Sequence, residues 1–109
     1  MARKRTKARA AGAPITTVVV MRLYIAGAAP NSVRAIANLE VICRRYLKGC
    51  YKLEIVDVCE HPQRALADGV LVTPSLAKVS PAPVSNVIGN LSDTDSVLAA
   101  LGLPAGAIE

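Results

Sequence analysis

Residues 18–35, VVVMRLYIAGAAPNSVRA, decide the fold of this chain. The run over Val18–Ile25 is apolar and partly β-branched apart from Arg22, which predicts a central strand with both sheet faces covered. The pattern breaks at a glycine and resumes behind Pro30 as a helix predicted over Asn31–Leu47. A buried strand that leads into a helix through a short turn opens many α/β domains, and such domains usually carry their sites at that turn.

The turn itself has no thiol. A thioredoxin-like domain would hold Cys-x-x-Cys there, whereas this chain has Ala28-Ala29-Pro30-Asn31. Because dithiol exchange needs thiolates, the sequence excludes that reaction at the turn. The three cysteines, Cys43, Cys50 and Cys59, show no Cys-x-x-Cys spacing, and one histidine does not complete a zinc site with them. We therefore expect no enzyme activity, no metal and no cofactor, and a reducing cytoplasm as the location.

The positive charge of the chain is concentrated at its beginning. The chain has 13 basic and 8 acidic residues, a net charge of +5. Arg3, Lys4, Arg5, Lys7 and Arg9 account for this excess, so the remainder is neutral. We expect residues 1–14 to be a disordered basic tail, which disfavours nucleic-acid binding by the domain. No apolar run is long enough for a membrane span.

The predicted first helix has an apolar stripe. Its buried face is expected to hold, at three- and four-residue spacing, Val33, Ile36, Leu39, Cys43 and Tyr46 or Leu47. Asn31 or Ser32 is the predicted N-cap, and Gly49 is predicted to end the helix. The one charged residue of the first strand, Arg22, is expected near an edge or end of the sheet.

The rest of the chain continues the alternation of strands and helices. Tyr51–Val58 predicts a second strand, and Pro62 opens a short helix to Asp68. Thr73-Pro74 then opens a strand at the place where thioredoxin-like domains carry a cis proline, which makes Pro74 the candidate cis residue. Val84–Ile88 predicts the last strand. A capping box at Ser92 and Asp95 predicts a final helix through Leu101. The resulting order, βαβαββα, is that of thioredoxin.

Five motifs make the chain resemble one family, the circadian clock protein KaiB. The resemblance runs from Met21 to Leu101. The motifs are Leu-Tyr-Ile-Ala-Gly (23–27), Pro-Asn-Ser-Val-Arg-Ala (30–35), Ile-Val-Asp-Val (55–58), Thr-Pro-Ser-Leu-Ala-Lys (73–78) and Val-Ile-Gly-Asn-Leu-Ser-Asp (87–93). The domain is accordingly expected over residues 15–103, with a C-terminal tail at 104–109.

The resemblance implies a small non-enzymatic protein that binds a ring-shaped KaiC-type ATPase. Family members exist as a thioredoxin-like monomer that binds the ATPase and as a resting form, βαββααβ and usually tetrameric. In cyanobacteria the bound form captures KaiA and displaces a histidine kinase that carries a similar domain. The basic tail and the missing acidic C-terminal extension indicate a divergent or non-cyanobacterial member, so KaiA and the kinase stay open as partners here.

The resemblance also implies where the partner binds. It places ATPase docking around Gly69, Val72 and Thr73, and it makes Arg34 a partner contact. Asn31 beside it and Lys78 after the Thr-Pro strand are the other candidates. The competing interpretation of these polar side chains is that they are solvated, with Asn31 serving as a helix cap.

Two residues bear on the balance between the two folds. Relatives tend to carry Gly and Asp at the positions of Ala100 and Gly102. Ala favours helix over Gly, and Gly102 with Pro104 stops the helix and would interrupt a strand. We therefore predict that the thioredoxin-like form is more populated here than in typical relatives. The remaining alternatives for function are a sensor domain related to the clock histidine kinase and a thioredoxin-like protein without redox activity.

Overall fold

The computed structural model describes residues 18–103 as a four-stranded mixed sheet with three helices. The predicted tails at 1–14 and 104–109 lie outside the described residues. The element order βαβαββα is confirmed. The elements are β1 (Val19–Ile25), α1 (Pro30–Ile42) with a π-helical continuation (Cys43–Leu47), β2 (Tyr51–Asp57), α2 (Pro62–Ala67), β3 (Ser75–Ser80), β4 (Ser85–Ile88) and α3 (Thr94–Ala100).

The sheet has the strand order β2-β1-β3-β4, so β1 is a central strand as predicted. β1 pairs parallel with β2, with Arg22 opposite Glu54 and Tyr24 opposite Val56. β3 runs antiparallel to β1 and to β4, with Ser75 opposite Tyr24. The carboxyl end of β1 therefore lies beside the beginning of β3, where the α2–β3 loop (residues 68–74) enters the sheet.

The two faces of the sheet are covered unequally. Alternate residues of β1 join α1, α3 and Leu76 in one buried cluster, as expected for a two-layer core. The cluster contains Val19, Met21, Leu23, Ile25, Ala35, Leu39, Ile42, Cys43, Leu47, Leu76, Leu91, Val97, Leu98 and Leu101. The opposite face carries Arg22 and Tyr24, whose polar groups contact Asp68 just beyond the short helix α2.

Three expectations about the first 30 described residues were wrong. Arg22 lies in the middle of a central strand because carboxylates from β2 and from the residue after α2 meet it there. α1 begins at Pro30, and its cap residue, Ala29, makes no side-chain hydrogen bond. Ser32 is buried instead, and its Oγ accepts the Ala26 N–H at 3.1 Å. Val33 is 53% exposed, because the buried stripe of α1 begins with Ser32 and Ala35 instead.

The cap of α3 is displaced by one residue from the prediction. Asp93, rather than Ser92, is the N-cap, and its Oδ1 accepts the Ser96 N–H at 3.2 Å. Such a cap contributes about 1 kcal/mol to a helix. At the other end, Gly102 has φ +83°, and the Leu103 N–H donates to the Leu98 carbonyl. Glycine adopts this left-handed conformation without the Cβ penalty that other residues meet.

Candidate functional site

The α2–β3 loop and the helix before it expose an apolar surface. Leu71 is 94% exposed, Leu66 is 78% exposed and Val72 is 50% exposed. They line a shallow groove of about 380 Å³ together with Val58, Pro62, Ala65, Val70 and Thr73. Scattered single apolar residues are ordinary on a protein surface, but a contiguous group often marks an interaction site. We call Leu66, Leu71 and Val72 the apolar loop surface.

The residues that lead from this loop into β3 are well fixed. The Thr73–Pro74 peptide bond is cis, and Pro74 is buried. The Pro74 carbonyl accepts the Gly89 N–H at 2.9 Å, which ties the loop to the end of β4. Gly69, at the start of the loop, has φ +75° and is exposed. The Val70 N–H donates to the Ala65 carbonyl at 2.9 Å, so the backbone of the loop is hydrogen-bonded near both ends.

The predicted contacts on α1 lie at the same end of the sheet. Asn31 and Arg34 are exposed in the first turn and a half of the helix. The turn before them is held by Asp57, whose Oδ1 accepts the N–H groups of Cys59 at 2.9 Å and Gly27 at 3.1 Å. These two hydrogen bonds hold the pKa of the Asp57 carboxyl below its ordinary value. Asn31 and Arg34 thus follow a fixed turn at the end of β1.

A charge cluster joins α2 to the sheet beside the apolar loop surface. The Tyr24 hydroxyl donates to Asp68 Oδ2 at 2.6 Å, and the Arg22 guanidinium contacts Glu54 at 3.1 Å and Asp68 at 3.3 Å. Arg64 donates to both carboxylate oxygens of Glu54, each at 2.6 Å. The adjacent Arg64 guanidinium holds the pKa of Glu54 at about 2. Burial, followed by the hydrogen bond to Asp68, raises the pKa of Tyr24.

Lys78 is buried in this structure, whereas a partner contact would have to be exposed. Its side chain is on the core side of β3, on the same face as Leu76, and the residue is only 4% exposed. Its Nζ lies 3.5 Å from the point that a Cβ on Gly102 would occupy, just past the end of α3. The expectation of an accessible Lys78 was therefore wrong for this arrangement. Lys78 comes two residues after Leu76 in β3, so both side chains point to the same face of the sheet, toward the helices.

The three cysteines differ in their exposure to solvent. Cys43 is buried in the core, and burial, followed by the charge of Glu40, raises its pKa to about 11. Cys50 is half-buried and Cys59 is exposed, and no disulfide joins them. Within residues 18–103, no group of three or more His, Cys, Asp or Glu side chains is placed to hold a metal ion. The same residues include no helix long and apolar enough to cross a membrane.

Sequence reasoning missed two members of the apolar loop surface, Leu66 and Leu71. The sequence held no signal for Leu66, because a leucine in a short helix is ordinarily expected on the buried side, and the structure buries Ala65 there instead. Leu71 lies in an apolar run, Val70-Leu71-Val72, that resembles a buried strand. The strand begins only at Ser75, so this run stays in the loop and its side chains face solvent.

The chain is similar to one protein family over most of its length. The KaiB domain model matches residues 22–103. A circadian clock oscillator protein KaiB from Thermosynechococcus vestitus is 47% identical over 91 residues, which cover 84% of this chain and 84% of that protein. The KaiB of Trichodesmium erythraeum is 44% identical over 90 residues, which cover 83% of this chain and 86% of that protein.

Solved structures with low sequence identity share the fold. The N-terminal domain of Synechococcus elongatus SasA has a TM-score of 0.65 at 18% identity, covering 91% of this chain and 93% of that chain. Chloroplastic thioredoxin z has a TM-score of 0.65 at 17% identity, covering 78% of this chain and 76% of that chain. The described fold is therefore thioredoxin-like.

Proposed function

Because the chain belongs to the KaiB family, we propose that it is a non-enzymatic clock-type adaptor that binds a KaiC-type ATPase ring and regulates the ATPase and phosphorylation cycle of that ring. The observation that carries the proposal is the apolar loop surface on a thioredoxin-like domain whose turn after β1 has no cysteine. A catalytic thioredoxin needs thiols at the turn after β1, and this chain has Ala28-Ala29-Pro30-Asn31 there.

The docking surface has an apolar centre and a polar border. Leu66, Leu71 and Val72 form the centre, and Gly69 and Thr73 belong to the same loop. Interfaces commonly bury such an apolar centre inside a rim of polar groups. Asn31 and Arg34 provide exposed polar groups at the same end of the sheet. Lys78 is not part of this surface, because it is buried.

The thioredoxin-like arrangement is, in this proposal, the form that binds the ATPase. It exchanges with a resting homo-oligomer in which residues 97–102 form a strand. The Asp93 cap and the left-handed Gly102 support the helical form of this segment. Leu91, which is buried at φ +64°, has a conformation that costs a non-glycine residue on the order of 1 kcal/mol. The backbone strain at Leu91 therefore disfavours the thioredoxin-like form.

A binding assay with purified KaiC-type ATPase from the native cell tests the proposal. We expect full-length wild type to bind the ring, and Leu71→Ala to weaken binding by about tenfold or more, since fully burying a leucine side chain contributes about 1.5–3 kcal/mol. Arg34→Glu should weaken binding by placing a repelled charge at the border. The matched control is Val41→Ala, which truncates an exposed apolar side chain near the opposite end of α1, away from this surface. Failure of wild type to bind the ring would contradict the proposal.

A second candidate is a sensor domain related to the clock histidine kinase, which the fold shared with the SasA N-terminal domain favours. The two candidates differ in their effect on the ring. An adaptor alters the ATPase and phosphorylation cycle when added alone, whereas a sensor domain occupies the ring without altering the cycle. Competition between the SasA N-terminal domain and this chain for the ring would support a common docking place.

A further inference from the structure

Helix α2 is held on the sheet with little apolar packing. It has six residues, and Ala65 is its one buried residue. The neighbouring Leu66 points away from the protein at 78% exposure. Because the hydrophobic contribution scales with the apolar area removed from water, one alanine contributes little. Packing alone therefore does not fix the position of this helix.

The charge cluster supplies the contacts that packing lacks. Arg64, on α2, makes a two-point contact with Glu54 on β2, and Asp68, at the end of α2, is held by Tyr24 on β1. Arg22 contacts both carboxylates and closes the network. Isolated surface ion pairs contribute little, but two-point arginine–carboxylate geometry within a network is the recognised exception. The sheet sets the positions of Arg22 and Glu54, since they are register partners.

The end of α2 determines where the loop starts. Asp68 is followed directly by Gly69, whose N–H donates to the Leu66 carbonyl at 3.1 Å. The Val70 N–H donates to the Ala65 carbonyl at 2.9 Å. A shift of α2 relative to the sheet would therefore move the loop that carries Leu71 and Val72. Asp68 is the first residue of that loop, so the charge cluster contacts the loop directly.

We propose that the charge cluster is a positioning device for partner binding: it holds α2 and the α2–β3 loop so that the apolar loop surface meets the ATPase as one surface. Arg22, Tyr24, Glu54, Arg64 and Asp68 are positioning residues in this scheme and act through Leu71 and Val72. The proposal rests on the proposed function for the identity of the partner. The positioning step itself is measurable in the protein alone.

Amide hydrogen exchange of the full chain without partner tests the positioning. In Tyr24→Phe and in Arg64→Met, exchange at the Gly69 and Val70 amides should rise about tenfold over wild type, because local opening of α2 becomes easier. The Val58 amide, which donates to the Ile25 carbonyl within the sheet, should keep its wild-type rate. Arg44→Met is the matched control, since Arg44 is exposed on the helix layer of the other face. Unchanged exchange at Gly69 and Val70 in both variants would overturn the proposal.

A double-mutant cycle on ATPase binding tests whether Arg64 acts through the loop. Arg64→Met should weaken binding about fivefold in the wild-type chain and less than twofold in the Leu71→Ala chain, since residues that act through one another are not additive. Equal losses in both backgrounds would show that Arg64 acts independently and would overturn the proposal. If the wild type does not bind the ring, the proposed function fails, and the exchange rates alone decide the positioning role.

Discussion

The guanidinium of Arg64 meets the carboxylate of Glu54 through two parallel hydrogen bonds of 2.6 Å. The two residues belong to different layers, since Arg64 is on α2 and Glu54 is on the edge strand β2. Glu54 also faces Arg22 on β1, so one carboxylate connects three elements. The face of the sheet opposite the main core is thus organised by charge, which makes its contacts sensitive to pH.

Stability should fall at acid pH through Glu54. Arg64 lowers the pKa of Glu54 from its ordinary 4.5 to about 2, so the folded state favours the carboxylate form. The resulting stabilisation is complete above about pH 4.5 and is lost as the pH falls toward 2. Urea unfolding from pH 6 to pH 2 should therefore show a steeper decline for wild type than for Glu54→Gln. The control Glu40→Gln, at an exposed glutamate on α1, should follow wild type, and a Glu54→Gln slope equal to wild type would contradict the prediction.

Lys78 should behave as a buried residue. Replacing it by Met keeps its length and removes the ammonium, which should leave the free energy of unfolding equal or higher. Lys78→Glu should cost more than about 3 kcal/mol, because it buries a carboxylate at the C-terminal end of α3, where the helix dipole is also negative. Chemical denaturation measures both variants. A Lys78→Glu protein with wild-type stability would show that this side chain reaches solvent.

The helical form of residues 94–100 should weaken when Ala100 becomes Gly. The substitution lowers the stability of the helix by about 1 kcal/mol, which changes the ratio of the thioredoxin-like form to the resting form about fivefold. Ser85 Oγ donates to the Ala100 carbonyl at 2.5 Å, so the same position also links α3 to β4. NMR and sedimentation at several concentrations should show a larger share of oligomer in Ala100→Gly than in wild type. Ala99→Gly, in the same helix, should produce a similar shift, because both substitutions lower helix propensity and both leave the backbone carbonyl of residue 100 in place.

A wild type that is wholly tetrameric, with residues 97–101 extended, would contradict the predicted balance. In that case the strand propensity of Val97, Leu98 and Leu101 and the burial within a tetramer would outweigh the helix signals.

The protein should have no disulfide reductase activity. The turn after β1 has no thiol, and the raised pKa of Cys43, about 11, keeps that buried side chain protonated and inert at neutral pH. An insulin-reduction assay should show no turnover above buffer, with a dithiol thioredoxin as the positive control. Turnover that disappears in Cys59→Ser, which removes the exposed thiol, would contradict the adaptor proposal.

The sequence by itself determined the type and order of the elements. The apolar run over Val19–Ile25 and the stripe through Leu39 and Cys43 predicted β1 and α1, because periodicity reports local geometry. The missing thiols at residues 28–31 and the five shared motifs also needed no coordinates. They led to the KaiB family, which the domain model over residues 22–103 confirms.

Only the tertiary structure decided which side chains are covered. Arg22 lies mid-sheet because Glu54 and Asp68, far along the chain, neutralise it there. Lys78 is buried because α3 folds back over β3, and Leu71 is exposed because β3 begins after it. The burial of a side chain depends on elements distant in sequence, and local periodicity contains no information about them. For that reason the charge cluster and the apolar loop surface emerged only from the packed molecule.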